Sequence, residues 1–174
     1  DIDGDGDNDL ILANRDEQQN YVCLNNGMLG FDEMIPFGSG TDNTRSVAVA
    51  DINNDGFLDL ITANIGEANR IYFGDEKMSF QSSIDFDISK SDSYALAVAD
   101  FDLDGYMDIV VGNAGSPNAV FLNRSAGKDW QWIQLSGDDF NTYDIITSDL
   151  NGDGRPDIIE GNSDAVNRYY FNLL

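Results

Sequence analysis

Three observations predict an all-β fold, a β-propeller built of four-stranded antiparallel blades. A nine-residue acidic pattern recurs at residues 1–9, 51–59, 100–108 and 149–157, a period of 50 and then twice 49, which is the range of propellers and helical arrays. Every copy is followed by a short, partly β-branched run and three are preceded by one; at four to six residues these runs have the length of strands, not helices. A third run and a less regular fourth complete each unit, and four short strands meandering within about 49 residues make a propeller blade.

The elements follow in order. An inner strand is expected at 46–50, 94–99 and 143–148, where Ala48, Ala50, Ala95, Ala97 and Ala99 suit the crowded edge on which blades converge. A second strand is expected at 10–13, 60–63, 109–112 and 158–161. The third, at 21–24, 70–73, 119–122 and 168–171, is preceded each time by an asparagine, Asn20, Asn69, Asn118 or Asn167. Its aromatics Tyr72, Phe73, Phe121, Tyr169 and Tyr170 suit the wider space between blades. From that asparagine to the next acidic loop is 31 residues in all three complete cases, which puts the one extra residue of the first unit in the turn 14–19, where insertions cost little. The outer strand is expected at 30–34, 78–81 and 130–135.

The expectation is about four repeats of 49 residues, starting at Asp1, Asp51, Asp100 and Asp149, with incomplete first and last blades. Residues 1–174 thus read as a single propeller domain or a propeller fragment. An inner strand before Asp1 and an outer strand after the last third strand are missing from the count. Either a partner chain supplies them, as in a homodimer that closes one ring, or the chain is a portion of a larger propeller. Closure by one chain would leave unpaired strand edges.

Composition narrows the functions. With 32 acidic residues against 9 basic ones the formal charge is −23, which argues against nucleic-acid partners and against attraction to anionic membranes. Disorder is disfavoured because 41% of residues are hydrophobic and 11% aromatic. The absence of histidine removes histidine-based triads and most zinc chemistry. The lone Cys23 cannot form an internal disulfide and reads as a buried thiol in an apolar run. No apolar run approaches the length of a membrane span.

The acidic loop has the chemistry of a hard-cation site. Each copy, the first being Asp1-Ile-Asp-Gly-Asp-Gly-Asp-Asn-Asp9, carries Asp or Asn at places one, three, five and nine and glycine at place six. Ca2+ takes about six to eight oxygens from carboxylates, amide and backbone carbonyls and water. Four side-chain donors and a carbonyl near place seven would supply most of that shell, with the glycine turning the chain so that places five and nine can face one ion. One such loop alone is equally an acidic Asx-turn without an ion; four copies in register favour a ligand set. Four divalent ions would offset eight of the negative charges. An EF-hand is disfavoured because it needs an acid at place twelve and flanking helices. Place twelve is Leu12, Thr62, Val111 and Glu160, and the flanks are strands.

The pattern Asp-x-[Asp/Asn]-x-Asp-Gly-x-x-Asp-[Leu/Ile]-[Ile/Val], with Val-Ala-Val-Ala before it and Ala-Asn or Gly-Asn after it, resembles the FG-GAP repeat of the VCBS type, related to the blades of the integrin alpha-subunit head and of certain fungal lectins. The resemblance covers essentially the whole chain. It implies that each loop joins the first two strands of a blade and holds Ca2+, up to four ions in all. The implied ligands are Asp1, Asp3, Asp5 and Asp9; Asp51, Asn53, Asp55 and Asp59; Asp100, Asp102, Asp104 and Asp108; and Asp149, Asn151, Asp153 and Asp157. The backbone carbonyls of Asp7, Phe57, Tyr106 and Arg155 would complete the sets. The Phe-Gly-Gly-Ala-Pro-like sequence of integrin repeats is absent, so an integrin-like adhesion role is not carried over.

The functional expectation is a calcium-binding scaffold for extracellular or cell-surface protein interaction or adhesion, with a lectin-like carbohydrate-binding propeller as the alternative and a fragment of a polysaccharide-active enzyme behind both. Calcium sites of modest affinity fill outside cells, which is the ground for the location. Catalysis lacks support: the acid clusters are claimed by a cation that holds them ionised, unlike the raised-pKa acid of a hydrolase. Of Trp130 and Trp132, one is expected to pack between blades and the other to face solvent as a sugar-stacking candidate. Arg70, Arg124 and Arg168 are expected to pair with carboxylates, and Asn14, Asn64, Asn113 and Asn162 to cap strand ends.

Overall fold

Apolar runs become strands, and Asp, Asn and Gly set the turns between them. The computed structural model describes residues 1–174, which form fourteen strands and no helix. The first sheet contains β1 (Leu10–Leu12), β2 (Asn20–Leu24) and β3 (Glu33–Phe37). The second contains β4 (Thr44–Ala50), β5 (Asp59–Asn64), β6 (Asn69–Phe73) and β7 (Ser82–Asp87). Next come β8 (Asp92–Ala99), β9 (Asp108–Ala114), β10 (Ala119–Asn123) and β11 (Trp130–Gln134). β12 (Asn141–Ser148), β13 (Asp157–Ser163) and β14 (Arg168–Tyr170) follow, joined to the preceding set only through the pair Asn141–Ala114. All pairings are antiparallel. The middle two sets thus have four strands each, the first has no inner strand and the last no outer one.

Two boundaries differ from expectation. Outer strands β3 and β7 begin at Glu33 and Ser82, three and four residues later than the apolar runs suggested. Side-chain turns occupy the intervening residues. The Asn26 side-chain oxygen accepts the N–H groups of Met28 and Gly30, both at 3.0 Å, and Asp75 Oδ1 accepts those of Lys77 and Ser79 at 2.8 and 3.0 Å. Met78 and Phe80 are left-handed, at φ 50° and 48°, and Phe80 drops into the core instead of entering a strand. Inner strands β4, β8 and β12 start two residues earlier than expected, because a bulge near Thr44, Ser93 and Thr142 lets pairing continue past an irregularity.

Packing between sets repeats one rule. Each set offers its successor a row of residues paired across its strands: Ile11–Val22–Ile35, then Ile61–Ile71–Ile84, then Val110–Val120–Ile133. Each successor receives it on the opposite row, Leu60–Tyr72, Ile109–Phe121 and Ile158–Tyr170 respectively. The three core clusters are these three seams, and none joins the first set to the last. Gly112 lets the third and fourth sets approach closely, since a Cβ there would lie 2.9 Å from both Ile145 and Thr142.

A polar bond crosses each seam beside the apolar one. Asn20, Asn69 and Asn118 donate to the hydroxyls of Thr44, Ser93 and Thr142 in the following set, at 2.9, 2.9 and 2.8 Å. Their side-chain oxygens accept the N–H groups of Asn14, Asn64 and Asn113, at 2.6, 2.8 and 2.8 Å. Asn69 is almost fully buried, and its other amide hydrogen goes to Asp87 at 2.9 Å. Asn69→Ala is therefore expected to lower the unfolding free energy by roughly 2–4 kcal/mol in urea titration, since it strands several buried polar groups. Asn167→Ala, at the equivalent but exposed position of the last set, is expected to cost less than about 1 kcal/mol.

Candidate metal centres

The acidic loops occupy the turns from β4 to β5, β8 to β9 and β12 to β13, and the first copy leads into β1. Glycine at place six is left-handed in every copy, at φ 97°, 92°, 92° and 85°. Place four is also left-handed, and its occupants include Asn54 at φ 58° and Leu103 at φ 60°; this second turn position escaped the sequence reading because Gly, Asn, Leu and Gly share no obvious chemistry. Neighbouring loops touch on one rim, where the Asn54 amide donates to the Gly105 carbonyl at 3.0 Å.

One hydrogen-bond frame recurs in all four loops. The place-one carboxylate accepts the place-six N–H at 3.1, 2.8, 2.9 and 2.9 Å. The place-five carboxylate accepts the place-seven N–H at 2.9 Å in each copy. The Gly154 N–H, with other loop amides, holds Asp149 below the usual carboxylate range.

Place nine has a role that spacing could not disclose. One oxygen of Asp9, Asp59, Asp108 and Asp157 accepts the place-two N–H of its own loop at 2.7–2.9 Å. The other accepts the N–H just after or at the end of the third strand, from Asn25, Gly74, Asn123 and Asn172 at 2.7–2.8 Å. Each carboxylate thus clamps the loop to the far end of the third strand. Burial pushes Asp59 and Asp108 up to about 6, against the two backbone N–H donors that lower them and with two loop acids that raise them further.

The four expected ligand sets are not assembled equally. Carboxylate oxygens of Asp1, Asp3 and Asp9 lie within 4.8 Å of one another, as do those of Asp100, Asp102 and Asp104. In the second and fourth loops an amide takes place three: Asn53 donates to Asp55 and Asn151 to Asp153, both at 2.9 Å, so part of the repulsion is relieved by the protein itself. In the third loop, Arg124 pairs with one oxygen of Asp102, while the other, Oδ1, is buried without any hydrogen-bond partner. A buried carboxylate oxygen facing other acids and lacking a donor fits a cation better than it fits an empty turn.

The remaining expectations fall around these loops. Arg70 and Arg168 pair with Asp85 and Asp138. Asn64, Asn113 and Asn162 close the turns after their strands by donating to the carbonyls of Ala68, Pro117 and Val166 at 2.7–2.8 Å. Trp130 packs on Phe86 with 5.8 Å between ring centroids, whereas Trp132 is 56% exposed. The hydroxyls of Thr44, Ser93 and Thr142 were missed, although their own 49-residue spacing marks them as part of the repeat. Removing the clamp is expected to destabilise the chain whether or not calcium is present: Asp108→Ala orphans two backbone N–H groups and should lower stability by about 2–5 kcal/mol in a chelator-treated sample. The exposed Asp104→Ala should have a much smaller effect under the same conditions.

Comparison with known proteins agrees with this repeated frame. The FG-GAP-like repeat matches three overlapping stretches, residues 1–62, 53–111 and 100–160. No curated protein matches the sequence. Among solved structures the chain is similar to a chain in the crystal structure of BBS1N in complex with ARL6DN, soaked with lead, at 14% identity and a TM-score of 0.62. The match covers 92% of this chain and 48% of that one, so the chain spans about half the length of its structural relative. At that identity the likeness concerns the fold alone, which is all-β, antiparallel and propeller-like. With three repeats spanning residues 1–160, the protein belongs to the FG-GAP-like repeat family.

Proposed function

We propose that the protein is a calcium-stabilised β-propeller scaffold for protein interaction outside the cell or at its surface. In this reading the four strand sets are four blades, the first and last incomplete, and each loop holds one Ca2+. The observation that carries it is the third loop, where Asp100, Asp102 and Asp104 converge and Asp102 Oδ1 has no partner. The ions would be held by the place-one, place-three and place-five side chains, with the place-nine carboxylate shared between metal and backbone. Their contribution is structural: they neutralise acids whose mutual repulsion otherwise opposes the turn. Residues on the blades, not the ions, would then meet the partner.

Calcium should therefore raise thermal stability. At a free concentration about 100-fold above Kd, one site adds about 2.7 kcal/mol by mass action, which for a chain of this size corresponds to roughly 5–10 °C in Tm. Scanning calorimetry with calcium and with excess chelator checks this; identical melting in the two conditions would refute a structural ion. Asp104→Ala should bind one ion fewer in isothermal titration calorimetry while leaving the chelator-treated Tm nearly unchanged.

One observation favours a second reading, a lectin-like module. The exposed Trp132 lies on a cleft of about 270 Å3 lined also by Asp87, Ser89, Ser91, Asn113 and Gln134. An accessible indole above hydroxyl, amide and carboxylate groups is suited to stacking on a sugar ring. A glycan array in calcium separates the readings: signals lost on Trp132→Ala support the lectin, and a blank array leaves the protein-interaction scaffold.

A further inference from the structure

The third acidic loop departs from the other three at one side chain. In those three the place-three oxygen accepts the place-five N–H of its own loop, Asp3 from Asp5, Asn53 from Asp55 and Asn151 from Asp153, at 2.9–3.1 Å. Asp102 makes no such bond. The Asp104 N–H goes to Asp100 at 3.1 Å instead, Arg124 takes one oxygen of Asp102, and the other oxygen is buried with no partner. Arg124 is itself held from the outer strand, since its Nε and Nη2 both donate to the Gln131 side-chain oxygen, at 3.0 and 2.7 Å. The residues at its place in the other sets are Asn26, Asp75 and Leu173, so this cation is peculiar to the third loop.

We infer that Arg124 is a positioning residue for the third metal centre: braced by Gln131, it turns Asp102 out of the local side-chain turn and leaves Oδ1 free for a divalent cation beside Asp100 and Asp104. On the calcium reading proposed above, on which this rests, the orientation of a ligand is set from outside the nine-residue pattern. Two effects of Arg124 on an incoming cation oppose each other. Its charge repels a second positive ion, which on its own weakens binding. Its planar fork holds the carboxylate in one orientation, so that no bond to the loop backbone has to break and less side-chain freedom is lost when the ion arrives. The repulsion is screened by salt, because the Arg124 side chain is 35% exposed. A partner behind a metal ligand typically contributes about 10–100-fold in affinity. Orientation therefore outweighs repulsion, and removing Arg124 weakens the site although it removes a positive charge.

Isothermal titration of the chelator-stripped chain with Ca2+, at physiological salt, tests the inference. Arg124→Ala and Arg124→Lys are each expected to weaken one site by about 10–100-fold and leave the others unchanged; lysine keeps the charge but lacks the fork that spans Gln131 and Asp102. Gln131→Met, at an exposed position that loses only the acceptor, should weaken the same site and serves if an Arg124 variant fails to fold. In an Asp104→Ala background, where the third site is already lost, Arg124→Ala should change calcium binding no further. A merely structural ion pair would give a lower chelator-treated Tm in Arg124→Ala with every calcium affinity as in the wild type, and that result overturns the inference. So does a tighter site in Arg124→Ala with an unchanged one in Arg124→Lys, the signature of charge alone, or a loss that persists in the Asp104→Ala background. A wild-type chain that takes up no Ca2+ overturns the calcium reading itself and the inference with it, so the two failures are distinguishable.

Discussion

A buried aspartate with both carboxylate oxygens committed to backbone N–H groups stands at the head of the second strand in every repeat. It ties the start of the acidic loop to the end of the third strand, 15 or 16 residues further on. Loop conformation and strand register are thereby one decision. If the carboxylate is lost, two donors are stranded in an apolar setting, where a missing partner costs more than an average hydrogen bond contributes. The left-handed glycine, the place-one and place-five contacts and the convergence of acids all presuppose this anchor.

The anchor also explains how so acidic a chain can be ordered. Acids at places one, three and five are drawn together by backbone donors, and burial, with a smaller addition from the nearby acids, raises the carboxyls of Asp59 and Asp108. Different loops relieve the strain differently: amides at place three in the second and fourth, an arginine in the third. The loops are thus chemically unequal although their backbone frames coincide. A cation would act most strongly where carboxylates converge, at the first and third loops.

Between sets, apolar rows and asparagine–hydroxyl bonds act together. The rows set the distance at which successive sheets stack, and the Asn20–Thr44, Asn69–Ser93 and Asn118–Thr142 bonds fix their slide along one another, because a buried amide tolerates little misalignment. Each seam therefore joins only neighbours, the property of a repeat array, whose terminal units differ from the internal ones. The exposed apolar side chains Leu10, Met34, Ile146 and Tyr169 lie on the first and last sets of strands.

The period, the strand-sized runs and the acidic loops were legible without coordinates, because strand length, turn-forming residues and alternating acidic side chains are local properties repeated four times in one register. The Asn64, Asn113 and Asn162 turn closures were legible for the same reason, and the arginine pairs because cations are scarce in so acidic a chain. The late starts of β3 and β7 were not: Asp75 and Asn26 spend several residues on side-chain turns that compete with the strand, and their strength depends on what packs beneath them. Nor was the double duty of Asp59 or Asp108, since one of its two donors comes from the third strand and only folding brings it there. Local chemistry could say that each loop carries carboxylate and amide oxygens at alternate places. Which oxygens remain free for an ion, and which face of each sheet remains uncovered, depended on contacts between residues distant in the chain, and those exist only once the sheets have stacked.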